Sequence, residues 1–312
     1  MKIRGNDVVL RHLFENQEAI NSGHEMPHNI LMVGSGGGMC GVIVAAEMAA
    51  MHDAGITAKA TNHFITASAS GGAVAGYLCG MPSRVPIMFM HLAVSGFVTG
   101  KGPFRRVHIQ RLANALRGEV CPIYVEQERI KAHPSTWHVV VSDYENGGWV
   151  FEDAKKASPD AVEAVCASMA IGTTRKLGSR VCTDGSYCMP LPAAEGIKRT
   201  KPSDILILTN RPHPEQLPWL ERNGWPILVH AMLWKAPLSL RKSAAAMDRV
   251  LAVELERIKK LKHIHWAHVT PTTESVPINP WTVDILQLQK ATDEAKCFML
   301  KRLKKAQPSR HI

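Results

Sequence analysis

No window of this 312-residue chain holds the ~18 consecutive apolar residues that a membrane-spanning helix needs. The seven cysteines form no C-x-x-C pair and no Cys/His ligand spacing, which argues for reduced thiols and against a disulfide framework or zinc site. There is no Gly-Lys-Ser/Thr, hence no P-loop. Internal repeats and low-complexity tracts are also absent. The first residues, "MKIRGNDVVLRHLFENQEA", are too mixed in charge for a secretory signal, so a cytoplasmic location is expected. Acidic residues are under-represented: 37 Lys+Arg face 27 Asp+Glu, and the net charge of +10 favours an anionic partner surface, phospholipid or nucleic acid. Nucleic acid would demand aromatic residues among the basic ones. Only Phe104 and Phe298 meet that condition, so no nucleic-acid role is expected.

What is present suits a globular α/β protein, with 46% apolar and 21% charged residues. Asn29–Val33 reads as a short buried strand and Val42–Met51 as a helix apolar almost all round. "NHFITASAS" (62–70) is a second strand running into the small-residue helix "GGAVAGYLCG". Strand, Gly/Ser-rich turn and helix thus occur twice in succession, the rhythm of a parallel, doubly wound sheet. Residues 136–154 read as a hairpin around Asn146-Gly147-Gly148, followed by a helix with Ser158 as cap and Pro159 in its first turn. Strands are expected at Arg180–Thr183 and Asp204–Thr209, then a long helix over about 238–262, a strand in "HIHWAHVTP" and a last helix over Trp281–Lys305. The tail from 303 is expected to fray.

"GSGGGMCG" (34–41) has to accommodate something against bare backbone. The string "GGGMCG" satisfies G-x-G-x-x-G between a strand and a helix, but a dinucleotide site also wants a carboxylate ending the second strand. That strand ends "FITASAS", without one. The alternative is an oxyanion loop beside a nucleophile. In "SASGG" (68–72), Ser70 has a glycine two positions on and resembles the G-x-S-x-G elbow with Ser68 in place of the first glycine. Ser68 is the weaker candidate on this pattern, because Ser70 rather than glycine stands two residues beyond it. The fifteen histidines lie in no recognisable motif. Asp184, at a strand end before a glycine, could reach a serine on a neighbouring strand directly, although Asp-Gly is also a common turn pair.

With these elements in place the chain resembles the patatin-like lipid acyl hydrolases. That family carries a G-G-G-x-R-G loop, a G-x-S-x-G nucleophile and a D-G-G or D-G-A aspartate in this order. Here the positions read "GGGMCG" (36–41), "SASGG" (68–72) and "DGS" (184–186), and "AVCASMAIG" (164–172) is similar to the family's A-x-x-A-S-x-A-I-P segment. The resemblance implies a three-layer α/β sandwich with a central, mainly parallel sheet and a helical C-terminal extension. It divides the chain into an N-terminal segment (1–27), a catalytic domain (28–212) and an extension (213–312). It further implies a Ser–Asp dyad of Ser70 and Asp184, an oxyanion hole from the amides of Gly36, Gly37 and Gly38, and no metal or cofactor. Lipid or phospholipid would be the substrate. Cys40 stands where the family has arginine, Ser68 replaces a glycine, and Gly172 replaces a proline. A catalytically impaired relative that binds lipid or a protein partner is the alternative these departures leave open.

Peripheral contact with an anionic membrane would suit such an enzyme. "KGPFRRVHIQRLANALR" (101–117) carries five Lys/Arg and no acid, with Ile109, Leu112, Ala113 and Leu116 at helical spacing. It fits a basic helix lying on headgroups, or, as the favoured reading, a helix whose apolar side faces the core. Lys296, Lys301, Arg302, Lys304, Lys305 and Arg310 add positive charge near the C-terminus, most simply as a solubilising face.

Overall fold

A computed structural model describes residues 1–101, 104–121, 123–213, 216–217 and 226–308 in full, and of 219–225 the backbone alone. Arg310 and the end of the tail lie outside the described residues. The strands are β1 (Lys2–Gly5), β2 (Ile30–Gly34), β3 (His63–Ala67), β4 (Val98–Thr99), β5 (Arg106–Val107), β6 (Thr136–Asp143), β7 (Trp149–Asp153), β8 (Arg175–Leu177), β9 (Arg180–Thr183), β10 (Asp204–Leu208) and β11 (His265–Thr270). The helices are α1 (Val8–Asn21), α2 (Gly41–Asp53), α3 (Ser70–Leu78), α4 (Val85–Val94), α5 (Ile109–Leu116) and α6 (Gln127–Ala132). There follow α7 (Ala161–Ser168), α8 (Ala193–Thr200), α9 (Trp219–Met232), α10 (Leu238–Ala245), α11 (Met247–Lys259) and α12 (Ile285–Ala306).

Nine strands form one sheet in the order β1-β11-β10-β2-β3-β6-β9-β8, with β7 also on β6. Its centre, β11 to β6, is parallel, and both flanks are antiparallel. The central strands read as unbroken apolar runs because both of their faces are buried. Alternate residues serve opposite faces. Ile30 and Met32 of β2 and Leu206 and Leu208 of β10 join the larger core with α2 and α12. Leu31, Val33, Ile205 and Ile207 join a second core with Leu255 and Ile258 of α11. The result is the expected α/β sandwich of helices on both faces of a sheet whose centre is parallel. Residues 213–312 contribute β11 to that sheet, and β1 closes its edge against β11.

The structure departs from the sequence reading at four places. Asp160, not Ser158, caps α7, its carboxylate accepting from the Glu163 amide, because Pro159 stands ahead of the helix rather than in it. The helix expected over 238–262 breaks at Ala246 into α10 and α11. The last helix begins at Ile285, where Asp284 accepts from the amides of Leu286 and Gln287. That helix runs on to Ala306 with Leu303 buried, so residues 303–306 do not fray as expected. In agreement with the favoured reading, Ile109, Leu112, Ala113 and Leu116 of α5 are buried, so this helix turns its apolar side to the core. Among the described residues, no helix is long and apolar enough to cross a membrane.

The C-terminal helix is part of the core: Leu288, Ala295, Met299 and Leu303 of α12 are fully buried. Met299→Ala is expected to destabilise the chain by about 2–5 kcal/mol, read as a lower midpoint in denaturant titration.

Candidate active site

The pairing register of β6 makes a junction. β7 occupies one edge of β6 along His138–Ser142, so β3 and β9 must share the other. From one end β3 runs along that edge and stops with Ala67 opposite Val140. From the other, β9 runs antiparallel and stops with Thr183 opposite Ser142. One residue further on, each chain arrives level with Val141 and must turn out of the sheet. Those residues are Ser68 and Asp184. The Ser68 hydroxyl donates to Asp184 Oδ2 at 2.6 Å.

The structure brings Ser68 to Asp184 and does not bring Ser70 there. Ser68 takes the left-handed backbone conformation (φ 54°) expected of the residue at a sharp strand-to-helix elbow. Ser70 is already the first residue of α3, and its hydroxyl turns back to the Ala67 carbonyl at 3.0 Å. Its side chain lies over Gly34, where an added Cβ would stand 2.4 Å from that of Ser70. Centred on Ser68, the elbow reads Thr66-Ala67-Ser68-Ala69-Ser70, with neither glycine of the usual pattern. The glycine count and the geometry therefore point to different serines: Ser68, not Ser70, contacts Asp184. The missed signal was the strand itself: "HFITA" ends in apolar residues at Ala67, and the elbow residue is the one that follows a strand.

Two further serines, neither assigned a role from sequence, hold the turn. Ser168, at the end of α7, accepts from the Ser68 amide at 2.7 Å and donates to the Val140 carbonyl at 2.5 Å. The elbow is thereby tied to the strand beneath it. Ser142 donates to the Asp184 carbonyl at 2.8 Å. Asp184 also accepts from the Ser186 amide at 2.9 Å, so both carboxylate oxygens are engaged.

Gly36, Gly37 and Gly38 line the same cavity as Ser68 and Asp184. A Cβ at Gly36 would lie 1.7 Å from the Ser186 hydroxyl and 3.0 Å from Ser68 Cβ, so only glycine lets this backbone approach the serine. Gly38 adopts φ +54° and packs against Pro280, whose carbonyl accepts from the Met39 amide at 3.1 Å. Asn210 donates to the Ser35 carbonyl at 2.7 Å and fixes the loop from the β10 side. No described group accepts from the amides of the three glycines. Cys40 is buried at the start of α2.

The cavity is walled largely by apolar groups including Ile171, Tyr187, Met247 and Leu251. Arg211 and Asp248 form an ion pair on its wall at 3.5 Å. Among its described lining residues there is no histidine. His268 lies behind the wall, bonded to the Thr209 hydroxyl at 2.9 Å, and burial lowers its pKa to about 3. Burial has the opposite effect on Asp184, raising its pKa to about 6 against the hydrogen bonds from Ser68 and the Ser186 amide. A carboxylate so placed is ionised at neutral pH and more basic than a solvated one. The arrangement can deprotonate a hydroxyl.

One cluster invites a metal: His12, His28 and Asp204, at the opposite ends of the parallel strands, place candidate ligand atoms within 4.8 Å of one another. The two imidazoles, however, stack at 3.6 Å with planes 4° apart, so their in-plane lone pairs run parallel and do not converge. Asp204 holds His12 at 2.7 Å and Glu15 holds His28 at 2.6 Å. These contacts account for the cluster as two carboxylate-paired histidines.

No protein-family model matches the chain, and no curated protein matches it in sequence. Among solved structures the chain is similar to VipD from Legionella pneumophila, at 14% identity and a TM-score of 0.45, over 89% of this chain and 67% of that one.

The buried carboxylate has a stability consequence. Because the folded-state pKa is raised from 3.8 to about 6, ionised Asp184 destabilises the fold once pH exceeds both values. Asp184→Asn is expected to melt higher than wild type near pH 8, by up to about 3 kcal/mol, with the difference closing toward about pH 4. Thermal melts at the two pH values test this.

Proposed function

We propose that the protein is a serine acyl hydrolase acting on lipid esters, with Ser68 as nucleophile and Asp184 as its base. The observation that carries this reading is the 2.6 Å contact between the Ser68 hydroxyl and a buried carboxylate that has no histidine between them. Ser68 transfers its proton to Asp184 as its oxygen attacks the ester carbonyl. The amides of Gly36, Gly37 and Gly38 stabilise the tetrahedral oxyanion; in hydrolases one such donor supplies about 3–4 kcal/mol. Asp184 then returns the proton to the leaving alcohol, and water admitted to the site releases the fatty acid by the same steps. No cofactor enters this scheme.

The apolar cavity supports an acyl chain as the group bound there, and the net charge of +10 supports a substrate presented at an anionic phospholipid interface. The resemblance to patatin-like hydrolases, transferred from Ser70 to Ser68, agrees with both.

A fluorophosphonate probe is expected to label wild type and Ser70→Ala but not Ser68→Ala, which should lose at least about 10⁴-fold in ester turnover. Labelling retained in Ser68→Ala overturns the nucleophile; a folded wild type that neither labels nor turns over ester favours the impaired lipid- or partner-binding relative. The base must be unprotonated, so kcat/KM should fall as pH drops through about 6, the value burial gives Asp184, and be flat above it. A pH–rate profile without that acid limb excludes Asp184 as the base.

A further inference from the structure

Residues 226–247 show the reverse of ordinary solvent patterning. Val229, Leu233, Ala236 and Leu240 face the core, as expected for helices packed on the protein. The intervening positions Ile227, Ala231, Trp234 and Leu238, three to four residues apart, face solvent. Ile227 is 74% exposed, Trp234 67% and Leu238 53%. Beside them is a cleft lined by Trp234, Met232 and Phe104, the last 81% exposed. Large apolar side chains on two separate segments thus project beside one cleft, more than scattered surface residues would give.

The charge around them has one sign. Residues 226–247 contain Lys235, Arg241 and Lys242 and no acid, and residues 101–117 contain five Lys/Arg and no acid. Arg105 and Arg106 line the cleft itself. The Lys235 ammonium sits 4.9 Å from the Trp234 ring centroid, so cation and apolar surface are presented together.

The patch also borders the catalytic cavity. Gly172 lines the cleft and its neighbour Ile171 lines the cavity. Arg105 reaches from the cleft to the Trp281 ring, 6.0 Å to its centroid, next to Pro280 on the cavity wall.

The geometry points to this surface as the face that docks on an anionic phospholipid bilayer, with Phe104, Trp234 and Ile227 entering the acyl boundary while Arg105, Arg106 and Lys235 meet lipid phosphates. This rests on the lipid-ester reading above for what the docked cavity would receive. A bilayer is favoured over a second copy of the chain because a symmetric pairing would oppose the same cations. Apolar and aromatic groups flanked by cations are the pattern of interfacial binding. The surface is distinct from the 109–116 helix, whose apolar residues are buried.

The test uses the full chain carrying Ser68→Ala, so that no lipid is consumed, floated with vesicles of phosphatidylcholine alone or mixed with phosphatidylglycerol. The parent should float with the mixed vesicles and far less with phosphatidylcholine. Phe104→Ser/Trp234→Ser and Arg105→Glu/Lys235→Glu should each weaken flotation by about tenfold or more. In the Ser68 background both double variants should keep the parental melting temperature and hydrolysis of a soluble short-chain ester. Equal flotation of parent and variants overturns the docking face, as does self-association of the vesicle-free chain through these residues. Loss of all ester turnover with patch-dependent flotation intact would instead remove the hydrolase reading and leave the docking face standing.

Discussion

The hydrogen bond between Ser68 and Asp184 depends on a shared strand edge. Two strands of opposite direction approach each other along β6, and neither can continue past Val141 without colliding with the other. Each must leave the sheet at the same level, and the two residues at the exits are the hydroxyl and the carboxylate. Their proximity follows from backbone register, which is rigid, rather than from loop conformation. A left-handed serine costs of order 1–3 kcal/mol. Ser168, which clamps the turn to Val140, and the start of α3 immediately after it keep the chain there.

Burial gives the pair its chemistry. In water a carboxylate is too weak a base to assist a serine hydroxyl at neutral pH. Excluding water moves Asp184 toward neutrality, and the same exclusion strengthens its attraction for the hydroxyl proton. The fold tolerates this cost because both oxygens of the carboxylate have donors. Beside the pair, the glycine loop brings bare backbone close to Ser68 without side-chain bulk. At Gly36 a methyl group would occupy the space between Ser68 and Ser186.

Much of this was legible in the sequence. Buried runs such as "ILMVG" and "HFITA", each followed by a Gly- or Ser-rich turn, pointed to the parallel centre of the sheet, and Asp184 and the three glycines line one cavity. Choosing between two serines two residues apart was beyond pattern matching. The distinction lies in where β3 stops, and strand ends are set by cross-strand pairing that a single sequence does not display. The break at Ala246 was hidden for a related reason, since alanine is a strong helix former and only tertiary packing divides α10 from α11. At 101–117 the charge run and the apolar spacing were both read correctly. What decided the helix's orientation was the neighbouring surface that its apolar residues covered.

Every motif residue lies between 36 and 186, yet the glycine loop is seated from outside that span, by the Pro280 carbonyl, nearly a hundred residues downstream, which receives the Met39 amide. A fragment ending at 212 would contain the serine, the aspartate and all three glycines, and would lack both this latch and the β11 neighbour of β10. Completeness of the motifs is thus a poor guide to where the working unit ends. The segment between β11 and α12 thus helps to fix the glycine loop beside Ser68 without itself touching the serine.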